Sequence, residues 1–440
     1  MPLTRWLPRT LRPWIAPATA VLATVALVAG AAGVEPEALP PPAAAEPASD
    51  VTDTTAASSS TTGWVGTWAT GVAEAESGQA LAGFTDTTVR QRMHVSVGGS
   101  QVRLRLTNVH GETPLVVEST TLALPGAAAG DIDPDTLRTV TFSGRSSVTV
   151  PAGAELVSDP VDLRVADDSD VIVSLYVPGP TGPATYHALA HATGWTATGD
   201  QTTALSAGAY SGTTTSFWFL DGLDVRGAVS GSAVFFGDSI TDGNGSTRDA
   251  DRRWPDYLAD RMLEAPRPHR FGILNAGISG NRLLLDANSP GQGDNALARL
   301  DRDVLAQTGV GTVFVFEGIN DIQQPNSQYD PEKLIAAYEQ IIQRSRDRGL
   351  RVVGATLAPF QGYHSWTPER EAVRSAVNTW IRTSGAFDAV VDFDEVLRDP
   401  ANPLRMLPAY DSGDNLHPGD AGYQAMAEAV DLRVLWPRGR

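Results

Sequence analysis

Near residue 230 the chain changes its period, and that change fixes what each half can become. Upstream, from Trp64 to about Gly227, apolar residues alternate with polar ones, as where Val102, Leu104 and Leu106 interleave with Arg103 and Arg105 just after Gly98-Gly99. Period-two alternation after a Gly-Gly pair predicts a β-hairpin. Val171 to Val177 reads as another strand, stopped by Pro178, and helix-period segments are scarce between. An all-β sandwich or jelly-roll-like domain over 63-228 follows. Downstream, apolar runs at 233-236, 312-316, 351-357 and 389-393 alternate with helical spacing, seen in Val373, Val377, Trp380 and Ile381 and from Leu334 to Arg348 after Pro331. That is α/β organisation, a short parallel sheet with flanking helices over 229-440.

The first 62 residues belong to neither half. Arg5, Arg9 and Arg12 precede an apolar stretch from Trp14 to about Val34 that contains Ala29-Gly30-Ala31, the pattern of a secretory signal over 1-34. Residues 35-62 are Pro, Ala, Ser and Thr with almost no large apolar side chain, a composition expected of a disordered linker. The chain is therefore expected to be exported, without stable membrane association once the signal is removed. It has no cysteine, so neither a disulfide nor a lipidated thiol can staple or tether it. A net charge of -18 disfavours nucleic acid and anionic membranes as partners, because phosphate contacts need basic surfaces. Neutral substrates fit better.

The chemistry-bearing residues sit in the second half. Phe235-Phe236-Gly237-Asp238-Ser239-Ile240-Thr241 places Ser239 just past the carboxyl end of a predicted strand, the edge where open α/β sheets bind ligands. Far downstream, Asp414-Asn415-Leu416-His417 puts a carboxylate three residues before a histidine. A serine hydroxyl attacks only when a histidine takes its proton, and that histidine needs a carboxylate to fix its tautomer. At this spacing Asp414 and His417 can lie on one side of a turn, with the second ring nitrogen left for Ser239. Asp411, Asp238 and Asp242 are the competing acids. Asp238 reads instead as a loop-ordering residue that accepts backbone hydrogen bonds, and Asp321 and Glu317 as loop-bracing neighbours.

Two further segments stand in the right order: Asn275-Ala276-Gly277-Ile278-Ser279-Gly280 and Gly318-Ile319-Asn320-Asp321. With Ser239 and His417 they supply a serine, a glycine, an asparagine and a histidine in four separate blocks. In this the chain resembles the SGNH, or GDSL, hydrolase superfamily over roughly residues 231-437. The resemblance implies a flavodoxin-like α/β/α catalytic domain, Asp414 as the acid, and an oxyanion hole from the Ser239 and Gly277 amides and the Asn320 side chain. It implies no cofactor and no metal. There is no Gly-x-Ser-x-Gly, since Thr241 stands two residues after Ser239, so the strained nucleophile elbow of α/β-hydrolases is not expected. Ile240 replaces the leucine of the family's short name, a volume-conserving exchange.

Exported members with an N-terminal β domain resemble bacterial enzymes that remove acetyl groups from polysaccharides such as xylan, and a serine esterase of that kind is the expectation. A lipase or phospholipase is the alternative, with Leu283-Leu284-Leu285 as its short candidate lid. A non-catalytic carbohydrate-binding protein on the same scaffold is the alternative of another class. Other groups read as structural. Asp131, Asp133 and Asp135 lack a calcium loop's glycine and form a surface turn; His187 and His191 have the spacing of a zinc pair but lie in a β region, where hydrogen bonding is the expected role. Trp64, Trp68, Trp195 and Trp218 are expected in the core.

Overall fold

The computed structural model describes residues 63-266, 270-286 and 288-436. The signal and linker expected over 1-62 lie outside these. Residues Ser58–Arg440 make one compact unit.

The first half is a two-sheet antiparallel sandwich. One sheet orders the strands Trp64–Ala69, Leu220–Arg226, Gln101–Thr107 and Glu155–Val157; the other orders Gly212–Thr214, Gly194–Thr198, Thr87–Val95, Ser169–Val177, Ser119–Ala123 and Arg138–Thr139. Val89, Met93, Leu104, Leu106, Val173, Leu175 and Val225 fill the space between them. The expected hairpin at Gly98-Gly99 does not form: Thr87–Val95 and Gln101–Thr107 belong to different sheets, so the connection arches from one layer to the other. The alternation was real, but it fixes only which face of a strand is buried, not which neighbour it pairs with.

Arg103 and Arg105 do not face water either. Arg103 donates to Asp224 at 2.8 Å, and Arg105 reaches Gln307 at 3.3 Å. The polar face of this sheet is covered by the second half of the chain. Gly66 N–H donates to the Thr308 carbonyl and Ile273 N–H donates to Ser96 Oγ, tying the halves at the backbone level. Trp68 and Trp218 are buried, whereas Trp64 is half-buried beneath the Arg103 guanidinium and Trp195 is half-buried at the sheet surface.

The second half is a three-layer α/β/α fold whose five parallel strands run in the order Gly272–Gly277, Ser232–Gly237, Val310–Phe316, Arg351–Ala355, Ala389–Val391. The flavodoxin-like order places the first strand second, so its carboxyl end lies between two neighbours. The edge strand Gly272–Gly277 is missing from the sequence reading, because Asn275 and two glycines break its apolar run. The last strand is shorter than expected: Phe393 opens a helix instead, with Asp392 as its N-cap. Helices Pro331–Asp347 and Pro368–Thr383 fall where the periodicity predicts, and Val373, Val377 and Ile381 are buried. On the opposite face Trp254 packs edge-on against Phe235 and Phe393. Burying rings of this size stabilises the fold by roughly 2–3 kcal/mol each.

Candidate active site

Ser239 opens a short helix, Ser239–Asp242, directly after the strand Ser232–Gly237. Asp238 is the N-cap, and its Oδ1 accepts the Ile240 N–H at 3.0 Å, the loop-ordering role read from the sequence. As the first helical residue, Ser239 has a backbone N–H with no intrahelical acceptor. Its backbone avoids the left-handed region, so the turn is not a strained elbow. Gly277 ends the neighbouring strand in register with Gly237. A side chain at Gly277 would overlap the backbone of Thr241 and Asp242, so only glycine lets the short helix that Ser239 opens settle on this strand end.

The distant segment arrives as the spacing requires. Ser239 Oγ lies 2.8 Å from His417 Nε2, and His417 Nδ1 lies 2.6 Å from Asp414 Oδ2. With Nδ1–H donated to Asp414, Nε2 is the acceptor for the serine hydroxyl. Asn244 Nδ2 lies 3.4 Å from the same Nε2, a neighbour that sequence reading missed. Partial burial opposes the Asp414 charge, but hydrogen bonds from the His417 ring and backbone outweigh it and bring its pKa to about 2. Asp411 instead braces the turn, accepting the N–H groups of Gly413 and Asn415.

Asn320 lies in the short helix Ile319–Gln323 that follows Val310–Phe316, the third strand of the parallel sheet in chain order. Its Nδ2 donates to the Asn281 carbonyl at 2.9 Å and its Oδ1 accepts from Gln323 Nε2 at 2.7 Å. Gln323 Oε1 accepts in turn from Ser365 Oγ. These bonds fix which end of the amide is the donor and use one of its two N–H groups. The Gly277 N–H donates to Asn275 Oδ1 at 2.9 Å, so an oxyanion there would share this donor with Asn275. Ser239, Gly277 and Asn320 thus stand at the carboxyl ends of three adjacent strands.

Buried charge underlies the site. Arg299, fully buried, donates to the carbonyls of Gly237 and Ala276, to Asn281 and to Asp303, clamping the strand ends that carry Ser239 and Gly277. Burial pushes Asp238 up to about 7 and Glu317 well above its ordinary range, and Asp321 to about 6 although the Leu283 and Leu284 N–H groups oppose the shift. Those two bonds pin the proposed lid segment, and Leu283 lies in the core.

Asp133 caps a short turn by accepting the Asp135 N–H, and Asp131 accepts the Ala207 N–H, as expected of structural residues. Among the described residues His94, Asp170 and Asp251 bring ligand atoms within 4.8 Å of one another. Burial opposes charge on His94, yet Asp170, Asp251 and Asp256 raise its pKa to about 9, and Arg92 pairs with both Asp170 and Asp251. A cationic ring and a guanidinium already satisfy these carboxylates.

Residues 235–425 match the GDSL-like lipase/acylhydrolase family. No protein of curated function matches the chain. Similar solved structures include a protein of the G-D-S-L family from Desulfitobacterium hafniense, 22% identical, covering 46% of this chain and 99% of its own, with a TM-score of 0.36. An acetylxylan esterase from Geobacillus stearothermophilus, solved as a catalytic mutant, is 22% identical over 48% of this chain and 99% of its own, with a TM-score of 0.35. The region that carries Ser239, Gly277, Asn320, Asp414 and His417 belongs to the GDSL-like lipase/acylhydrolase family, within the SGNH superfamily, and this part of the chain is a hydrolase.

Proposed function

We propose that the protein is a secreted serine esterase that cleaves short-chain carboxylic esters, acetyl groups on polysaccharides foremost, through an acyl-enzyme. The observation that carries this reading is the unbroken relay Asp414–His417–Ser239, with contacts of 2.6 and 2.8 Å. His417 Nε2 takes the hydroxyl proton as Ser239 Oγ attacks the ester carbonyl, and Asp414 stabilises the imidazolium that forms. The Ser239 and Gly277 amides and the Asn320 side chain receive the oxyanion, a service typically worth about 3–4 kcal/mol per donor in acyl transfer. Collapse of the intermediate expels the alcohol, which takes the proton from His417. Water, deprotonated by the same ring, then releases the acid and restores Ser239. The chain needs no cofactor for these steps.

The rim supports the short-chain reading. Leu283 is core and the Leu283 and Leu284 backbones are held by Asp321, which leaves Leu285 as the exposed apolar residue of that segment. A lipase would need a larger movable apolar cover. Export is supported by the basic and apolar pattern of the first 34 residues. No described helix is long and apolar enough to cross a membrane. The net charge of -18 favours a neutral substrate over an anionic one.

The test is hydrolysis of nitrophenyl esters from acetyl to long acyl chains, with acetate release from acetylated xylan in parallel. We expect the highest kcat/KM on acetyl and release of acetate from the polymer. A preference for long chains would replace this reading with the lipase.

A further inference from the structure

The nucleophile helix is held from its far end by the β region. His187, in the short strand Tyr186–His187, is buried; its Nδ1 lies 2.7 Å from the Gly71 carbonyl, and its Nε2 lies 3.0 Å from both the Leu189 carbonyl and Asp242 Oδ1. Each ring nitrogen faces only acceptors. A neutral ring would set a lone pair against a carbonyl oxygen, so the geometry requires the doubly protonated imidazolium. Burial works against that charge, but Asp242 together with the Gly71 and Leu189 carbonyls outweighs it, and the pKa lies above the ordinary histidine value.

Asp242 is the last residue of the helix that Ser239 opens. While Oδ1 faces His187, Oδ2 accepts both the N–H and the Oγ–H of Ser279, at 2.9 and 2.7 Å. Ser279 lies two residues after Gly277. One carboxylate therefore joins the element that carries the nucleophile to the loop that carries an oxyanion donor. Gly71 completes the clamp: its carbonyl holds His187, and a side chain there would overlap Ile278 of the same loop. His191 Nε2, 4.0 Å from Asp242 Oδ1, is the other titratable group of the β region beside this carboxylate, and its pKa is lowered by burial. The reaction scheme uses none of these groups, and a buried ion pair gives little net stability while removal of one partner leaves the other charge uncompensated.

We propose that His187 is a positioning residue for the Ser239 centre, acting through Asp242, and that the β region is thereby part of the catalytic apparatus rather than a detachable binding module. This rests on the esterase reading above. A shift of about 1 Å between nucleophile and oxyanion donors is enough to cost roughly 100-fold in rate.

The experiment uses the full chain with His187→Gln, Asp242→Asn, the double variant and the milder Ser279→Ala, beside Ser239→Ala. Rates on nitrophenyl acetate are normalised to the Ser239 that reacts with a fluorophosphonate, so that only folded sites count. We expect His187→Gln and Asp242→Asn each to lower kcat about 10- to 100-fold with KM within about twofold, and the double variant to be no worse than the worse single, as for groups acting as a unit. Ser279→Ala should lose a smaller, about threefold to tenfold, part of kcat. Unchanged kcat per reactive site in these variants, even with a lower Tm, would overturn the positioning role and leave the esterase intact. Inert wild type alongside inert Ser239→Ala overturns the esterase reading itself and the positioning role with it. Should the His187 and Asp242 variants not fold, Ser279→Ala and the wild-type ring decide: nitrogen NMR at neutral pH should find both His187 ring nitrogens protonated, and a neutral ring contradicts the proposal.

Discussion

Asp414 grips His417 twice: Oδ2 meets the ring Nδ1 at 2.6 Å and Oδ1 accepts the residue's own backbone N–H at 2.8 Å. The carboxylate thus sets both the tautomer and the position of the base. Asp414→Asn keeps the volume but offers an amide that favours the wrong tautomer. We expect kcat on nitrophenyl acetate to fall about 10³- to 10⁴-fold with little change in Tm. A loss under tenfold would pass the acid's role to another carboxylate.

Gln323 holds the acceptor end of Asn320, so the donor end is fixed before substrate arrives. Asn320→Ala should lower kcat about 10²- to 10³-fold while KM stays within a few fold, the signature of a donor used in the transition state. Gln323→Ala should show a weaker version of the same split, since the Asn281 carbonyl still orients the amide. A rise in KM with unchanged kcat would mean that Asn320 binds the ground state instead.

Stability should fall as pH rises from about 4 to about 7. Burial raises Asp238 to about 7, above the unfolded value, so the folded chain holds a proton in this window that the unfolded chain has released. The contribution is full below pH 4 and gone above 7. Asp238→Asn keeps an oxygen for the Ile240 N–H, and its unfolding free energy should decline less than that of wild type across the window, by about 1–3 kcal/mol. Parallel curves in urea unfolding would contradict the assignment.

His94 makes a second pH dependence in a higher window. Its folded pKa of about 9 exceeds the unfolded value, so the stability that its charge contributes is full below about 6.5 and lost as pH rises through 9. Because Arg92 and Asp251 share the cluster, the loss loosens a contact between the two halves of the chain. His94→Gln should flatten the decline between pH 6.5 and 9 by about 1–2 kcal/mol. A chelator should leave Tm unchanged; a drop of several degrees would point to a metal in place of the ion pairs.

The sequence exposed what depends on period and on short-range spacing. The apolar runs ending at Phe236 and Phe316, the helices after Pro331 and Pro368, and the three-residue step from Asp414 to His417 are all local signals, and each element formed where its signal lies. Pairing across the sandwich was not legible, because alternation at 101-107 says nothing about a partner at 220-226. What covers the polar face at Arg103 and Arg105 was not legible either, because Gln307 and Thr308 lie about 200 residues away. The hydrogen-bonding role of His187 was legible, but its pairing with Asp242 was not, because 55 residues separate them. A histidine and an aspartate at that distance acquire meaning only when the β region closes on the helix Ser239–Asp242.

The most direct test of the account is the turnover of nitrophenyl acetate by Ser239→Ala beside the unaltered chain, both shown folded by the same Tm. We predict a loss of at least about 10³-fold in kcat, in keeping with removal of the nucleophile in serine hydrolases. Equal rates in the two proteins would mean that Ser239 does not attack the ester, and the relay from Asp414 through His417 would have no reaction to serve.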